Sequence, residues 1–94
     1  MYGLSQQELE SIKRVCRELN IKKVILFGSR VKGNYKRGSD VDLAVIGDEK
    51  KLSYILNEES TLPYFFDVVH LNKIANKNLL EHIERVGQVI YEAK

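Results

Sequence analysis

The chain has 94 residues, 44% hydrophobic and 30% charged, enough for one domain with a single modest core. Fifteen basic against 13 acidic side chains leave a net charge of +2, which is no electrostatic footprint for general nucleic-acid binding. The lone Cys16 excludes an internal disulfide and fits a reducing, cytoplasmic setting, while no apolar run approaches a membrane span and the first eight residues lack signal-peptide character.

In chain order, Ser5-Gln6-Gln7-Glu8 reads as a capping box, with Ser5 at the N-cap and Glu8 three residues on. Leu9, Ile12, Cys16 and Leu19 then recur at helical spacing, which predicts a helix over about residues 6–19 that Asn20 breaks. Cys16 falls on the apolar stripe, where it acts as a small core residue. Val24-Ile25-Leu26-Phe27 predicts a first strand over residues 24–28, ending at Gly28-Ser29. The 29–39 stretch is long for a hairpin loop and carries Arg30, Lys32, Lys36 and Arg37, with room for one helical turn after Ser29.

A second strand over 41–46 stops at Gly47-Asp48, and Leu52, Ile55 and Leu56 mark a helix between Glu49 and Glu59. Pro63 breaks the chain before a third strand, Tyr64 to Leu71. Alternation sets Phe65, Asp67, Val69 and Leu71 on one of its faces and Phe66, Val68 and His70 on the other. Asn72 is the expected cap of a last helix, striped by Leu79, Leu80, Ile83 and Val86 and closed by Gly87 as C′. Gln88-Val89-Ile90-Tyr91 is an edge strand or a tail. This order predicts an α+β fold: a small mixed β-sheet with helices on one face and a carboxylate face left open.

The chemistry concentrates around Gly28-Ser29 and Ser39-Asp40-Val41-Asp42. A Gly-Ser turn leaving a strand exposes backbone N–H groups that can cradle phosphate. Asp40 and Asp42, two apart in extended chain, point to one face with Cα atoms about 6.5–7 Å apart, and such like charges call for a cation. Asp67, an acid within an apolar strand, is costly unless paired or bound to metal, although an edge strand can also carry an acid against aggregation. If the third strand lies beside the second, the three carboxylates share one face. Oxygen-only donors near phosphate suit Mg²⁺, two ions roughly 3.5–4 Å apart in the two-metal arrangement. Arg30, beside the turn, is the foremost candidate among the loop cations for the phosphates; Tyr35 could stack on a base, touch a partner or simply face solvent.

Taken together, Gly28-Ser29, ten intervening residues and Asp40-x-Asp42 resemble the signature of the polymerase-beta-like nucleotidyltransferases. Gly33 in the loop, Ser39 before the first acid and Leu43-Ala44-Val45 behind the second fit as well. Asp67 sits where that family has its third carboxylate, so no acid of the metal motif is missing. The resemblance covers nearly the whole chain, residues 1–94 as a single domain, and its size is similar to that of the minimal branch. It implies Asp40, Asp42 and Asp67 as catalytic metal ligands, and Gly28, Ser29, Arg30 and Ser39 as nucleotide-binding residues. It further implies transfer of AMP from ATP to a hydroxyl with Mg²⁺. Minimal members are typically antitoxins that modify a tyrosine of a helical HEPN ribonuclease toxin, so a hetero-oligomer with that toxin is expected, or a homodimer of the chain alone. The rival readings are an antitoxin that works by occlusion and a transferase subunit acting on a small molecule or RNA end.

Overall fold

The computed structural model describes residues 1–94. Helix α1 (Gln6–Glu18) begins at the capping box: the Glu8 amide donates to Ser5 Oγ at 3.0 Å and the Ser5 amide to Glu8 Oε1 at 2.9 Å. Its stripe buries Leu9, Ile12 and Cys16, and Asn20, at φ 57°, turns the chain out of the helix as expected. Strand β1 (Lys23–Phe27) runs into the single-turn helix α2 (Ser29–Lys32). After the basic loop come strand β2 (Val41–Ile46) and helix α3 (Glu49–Tyr54), capped by the Asp48 carboxylate on the Lys51 amide. The helix axis continues through a π-helical turn, Ile55–Glu59. Strand β3 (Phe66–His70), a 3₁₀ turn (Leu71–Lys73), helix α4 (Lys77–Val86) and strand β4 (Gln88–Glu92) complete the chain.

The sheet order is β3-β2-β1-β4, with β1 antiparallel to both β2 and β4, and β2 parallel to β3. A parallel pair needs a crossover, which α3 and the π turn supply. Val24, Leu26, Val41, Leu43, Val45 and Phe66 face α1 and α3 and form the main core with Ile12, Cys16, Leu52 and Leu56. Gln88–Tyr91 is thus a paired edge strand and not a tail.

Three expectations are corrected. The last helix is capped by Asn76, whose Oδ1 accepts from the Asn78 and Leu79 amides, because Asn72 is drawn into the 3₁₀ turn after β3. Gly87 closes that helix, yet in extended backbone (φ −63°, ψ 153°); a side chain there would strike the Ile83 carbonyl and the Ile25 side chain, so close packing and not a left-handed cap demands glycine. The α+β class and the mixed sheet are as expected, but the helices do not keep to one face: α1 and α3 share one. Helix α4 lies on the other, where Ile83 packs against Ile25, Phe27 and Ala44 in a small second core. By alternation that face also carries Asp42 and Asp67, so α4 covers its middle and leaves its acidic end open.

Candidate active site

Strand pairing builds the acidic end. In the β2–β3 register Asp42 lies opposite Asp67, and in the β1–β2 register it lies opposite Phe27. Adjacent strands are about 4.8 Å apart, so Asp42 and Asp67 stand side by side on one face. Asp40, in the extended chain just before β2, adds a third carboxylate two residues upstream of Asp42. Asp40 and Asp67 are exposed and Asp42 is half-buried. Burial first, then the charges of Asp67 and Asp40, push the Asp42 carboxyl above its ordinary 3.8, with Arg30 opposing the rise.

Gly28 sets the distance between the turn and these acids. It sits at φ 82°, ψ −153°, backbone that essentially only glycine adopts, and a Cβ at this position would collide with the Asp42 carboxylate. The helical turn after it is closed by the Lys32 amide on the Gly28 carbonyl and the Gly33 amide on the Ser29 carbonyl. Its first N–H groups have no acceptor within the turn, which is the geometry expected of the Gly28-Ser29 corner.

Two residues predicted to touch nucleotide make hydrogen bonds within the chain. Arg30 is only 2% exposed. Its Nε and Nη2 donate to the Ser39 carbonyl at 3.2 and 2.7 Å, its Nη1 donates to the Tyr2 carbonyl at 2.9 Å, and its plane lies over the Tyr64 and Tyr35 rings. It pins the chain just before Asp40 to the amino-terminal segment. Ser39 Oγ accepts from the Lys36 amide at 2.8 Å, so this hydroxyl shapes the turn that leads into Asp40. Tyr35 is held against Arg30. Lys32, Lys36 and Arg37 stay exposed and form no ion pair.

Sequence reasoning missed three further residues. Tyr64 donates to the Glu8 carboxylate, with oxygens at 2.9 and 3.0 Å, and so ties the start of α1 to the approach to β3. Tyr2 offers its carbonyl to Arg30 from 28 positions away. Asn57 brackets Phe66: its Nδ2 donates to the Phe66 carbonyl at 2.9 Å and its Oδ1 accepts from the Phe66 amide at 2.7 Å. Only an asparagine near the end of an otherwise ordinary helical stretch signals this in the sequence.

Residues 10–94 match the family described as polymerase beta, nucleotidyltransferase. The chain belongs to this family. A probable protein adenylyltransferase MntA of Haemophilus influenzae is 32% identical, over 95% of this chain and 83% of that protein. A putative protein adenylyltransferase of Methanocaldococcus jannaschii is 31% identical, over 76% of this chain and 79% of its own. The protein adenylyltransferase MntA of Aphanizomenon flos-aquae is 30% identical over 77% of this chain, and the chain spans only 57% of its length. Among solved structures, a toxin–antitoxin with AMP-PNP superposes with a TM-score of 0.73 at 24% identity, over 92% of this chain and 74% of that one. A mutant MntA–HpeT toxin–antitoxin gives 0.69 at 20% identity over the same shares. These two likenesses, both under 25% identical, bear on the fold alone. The expected nucleotidyltransferase class and polymerase-beta-like fold are thereby borne out.

Within this family frame, the acidic end has the donor chemistry of a magnesium site. Its donors are carboxylate oxygens alone, and their mutual repulsion at Asp42 is what a cation would relieve. No three of the acidic side chains are grouped closely enough to hold a metal ion by themselves. Neither do they line any cavity; the acids form an open face, and a separate hollow of about 460 Å³ is walled by Arg30, Tyr35, Lys36, Arg37 and Tyr64. No helix is long and apolar enough to cross a membrane.

Proposed function

We propose that residues 1–94 work as one domain that transfers AMP from ATP to a protein hydroxyl in the cytoplasm. The hydroxyl is a tyrosine of a HEPN ribonuclease toxin, for which the chain is the antitoxin. The observation that carries this reading is the side-by-side placement of Asp42 and Asp67, next to a corner where Gly28 alone fits against Asp42. It is supported by relatives named as protein adenylyltransferases and by a neighbour described as a toxin–antitoxin with AMP-PNP.

Asp40, Asp42 and Asp67 would hold Mg²⁺, two ions in this reading, which supplies charge neutralisation at the triphosphate and acidity at the acceptor hydroxyl. The corner amides of Gly28-Ser29 bind the outer phosphates. Asp67, itself exposed on the edge strand, faces the incoming acceptor and takes its proton. The acceptor oxygen bonds to the α-phosphorus while the bond to the pyrophosphate oxygen breaks, and pyrophosphate leaves with the electron pair. Arg30 and Ser39 act by shaping the loop that presents Asp40.

Incubation with α-labelled ATP, Mg²⁺ and the partner toxin tests the reading, with Asp42→Asn as control. Label on a toxin tyrosine, lost in the control, is the expected result. Unlabelled toxin that both proteins neutralise equally would overturn it in favour of occlusion. Label on a metabolite or an RNA end would move the acceptor to another class.

A further inference from the structure

Asp67 is contributed by an edge strand, and its place in the site depends on what holds that strand. On the inner side β3 pairs with β2, the Val41 amide donating to the Phe65 carbonyl at 2.9 Å. In a parallel ladder, residues alternate in the direction of their backbone groups, so the Phe66 N–H and C=O face outward, where an edge strand ordinarily meets water. Asn57 takes both. A carboxamide carries one acceptor and a two-proton donor in one plane, and here it matches a backbone residue as a neighbouring strand would. Ser53 Oγ accepts from the same Asn57 Nδ2 at 3.2 Å and fixes the amide plane. The bracketed residue immediately precedes Asp67.

The device that delivers this amide is the π-helical turn Ile55–Glu59. A π turn inserts one extra residue and rotates the residues after it, at a cost in hydrogen-bond geometry, and such turns concentrate at functional sites. Leu56 remains in the main core while its neighbour Asn57 reaches across to β3. Asp67 itself is exposed.

We infer that Asn57 is a positioning residue: its two-point bracket on Phe66 fixes the edge strand so that Asp67 stands in register with Asp42 as a metal ligand. This deepens the proposed function and rests on it, because it takes Asp67 to be a ligand. Groups that orient metal ligands are commonly worth about 10–100-fold in metal affinity.

The test uses the full chain, with Mn²⁺ titrated by electron paramagnetic resonance in the presence of AMP-PNP. Wild type, Asn57→Ala and Asp67→Asn are compared, together with amide exchange at Phe66. Folded Asn57→Ala should lose protection at the Phe66 amide and weaken the Asp67-dependent Mn²⁺ site by about tenfold or more, while AMP-PNP affinity stays within about twofold, since Gly28, Ser29 and Asp42 are untouched. If Asn57→Ala fails to fold, Asn57→Asp answers the same question, because its carboxylate still accepts from the Phe66 amide but cannot donate to the carbonyl. A folded variant with unchanged Mn²⁺ affinity, when Asp67→Asn weakens it, overturns the bracket alone. Mn²⁺ binding untouched by Asp67→Asn overturns the assignment of Asp67, and the bracket's purpose with it.

Discussion

At Gly28 two constraints meet on one residue. Its backbone lies in a region closed to L side chains, and the space a Cβ would occupy is filled by the Asp42 carboxylate. Gly28→Ala should therefore do more than strain a turn by about 1–3 kcal/mol: it displaces a proposed metal ligand. Transfer of labelled AMP is expected to fall by about 10²-fold or more, on the scale of a 1 Å misplacement, with secondary structure retained by circular dichroism. Arg30 gives the opposite kind of test. Were it a phosphate ligand, lysine would partly replace it. In the observed network a lysine cannot span the Ser39 and Tyr2 carbonyls, so Arg30→Lys should cost about 1–3 kcal/mol for each buried carbonyl left unpaired. Chemical denaturation should then rank Arg30→Lys well below Lys32→Ala and Arg37→Ala, whose side chains are exposed and unpaired.

Among the elements, α1 is the one whose sequence determines it most locally. Both hydrogen bonds of its capping box form between residues three apart, and Ser5→Ala should cost about 1 kcal/mol in a denaturant titration. Glu8 also accepts from Tyr64, so the same carboxylate joins α1 to the approach to β3. The Ser5 amide, with help from Tyr64, holds the Glu8 carboxyl below its ordinary 4.5. The native state therefore releases the proton more readily than the unfolded chain does, and Glu8's contribution is complete above 4.5 and lost as pH falls through the lowered value. Glu8→Gln should lower stability at neutral pH and flatten this part of the acid limb in pH-dependent melting curves.

The same contrast explains what the sequence could disclose. Strand alternation, the capping box and the Asp40–Asp42 spacing are written within a few neighbouring residues, so β1, β2, α1 and that pair of acids were legible, whereas Asp67 comes beside them only through the β2–β3 pairing. Arg30's task was not legible, since one of its acceptors is 28 positions away. Asn72 and Asn76 are alike as caps, and only the packing of Ile74 and Leu79 under the sheet decides between them. A single extra residue in a π turn is invisible to a periodicity read over so short a helix, and Asn57's role with it.

Over the whole molecule, an acidic end assembled for chemistry should subtract from stability, and Asp42 makes this measurable. Burial and the charges of Asp67 and Asp40 lift its pKa above 3.8. The unfolded chain gives up that proton at 3.8 while the native state holds it to higher pH, so the native state binds more protons in between and is penalised as pH rises through the raised value. Below 3.8 the penalty is absent, because both states are protonated. Asp42→Asn removes the charge, so the variant should melt above the wild type at pH 7, with the gap closing as pH falls toward 3.8; Glu8, common to both proteins, cancels in the difference. Mg²⁺ with AMP-PNP should reverse the order. At about a hundredfold excess over Kd, a ligand that binds only the native state adds about 2.7 kcal/mol, and for a domain of this size that raises Tm by about 10–20 °C. The wild type should gain this shift and the variant little of it, since the asparagine side chain brings no charge to the cation. A variant that melts lower under both conditions would mean that Asp42 holds the fold together and not the ion.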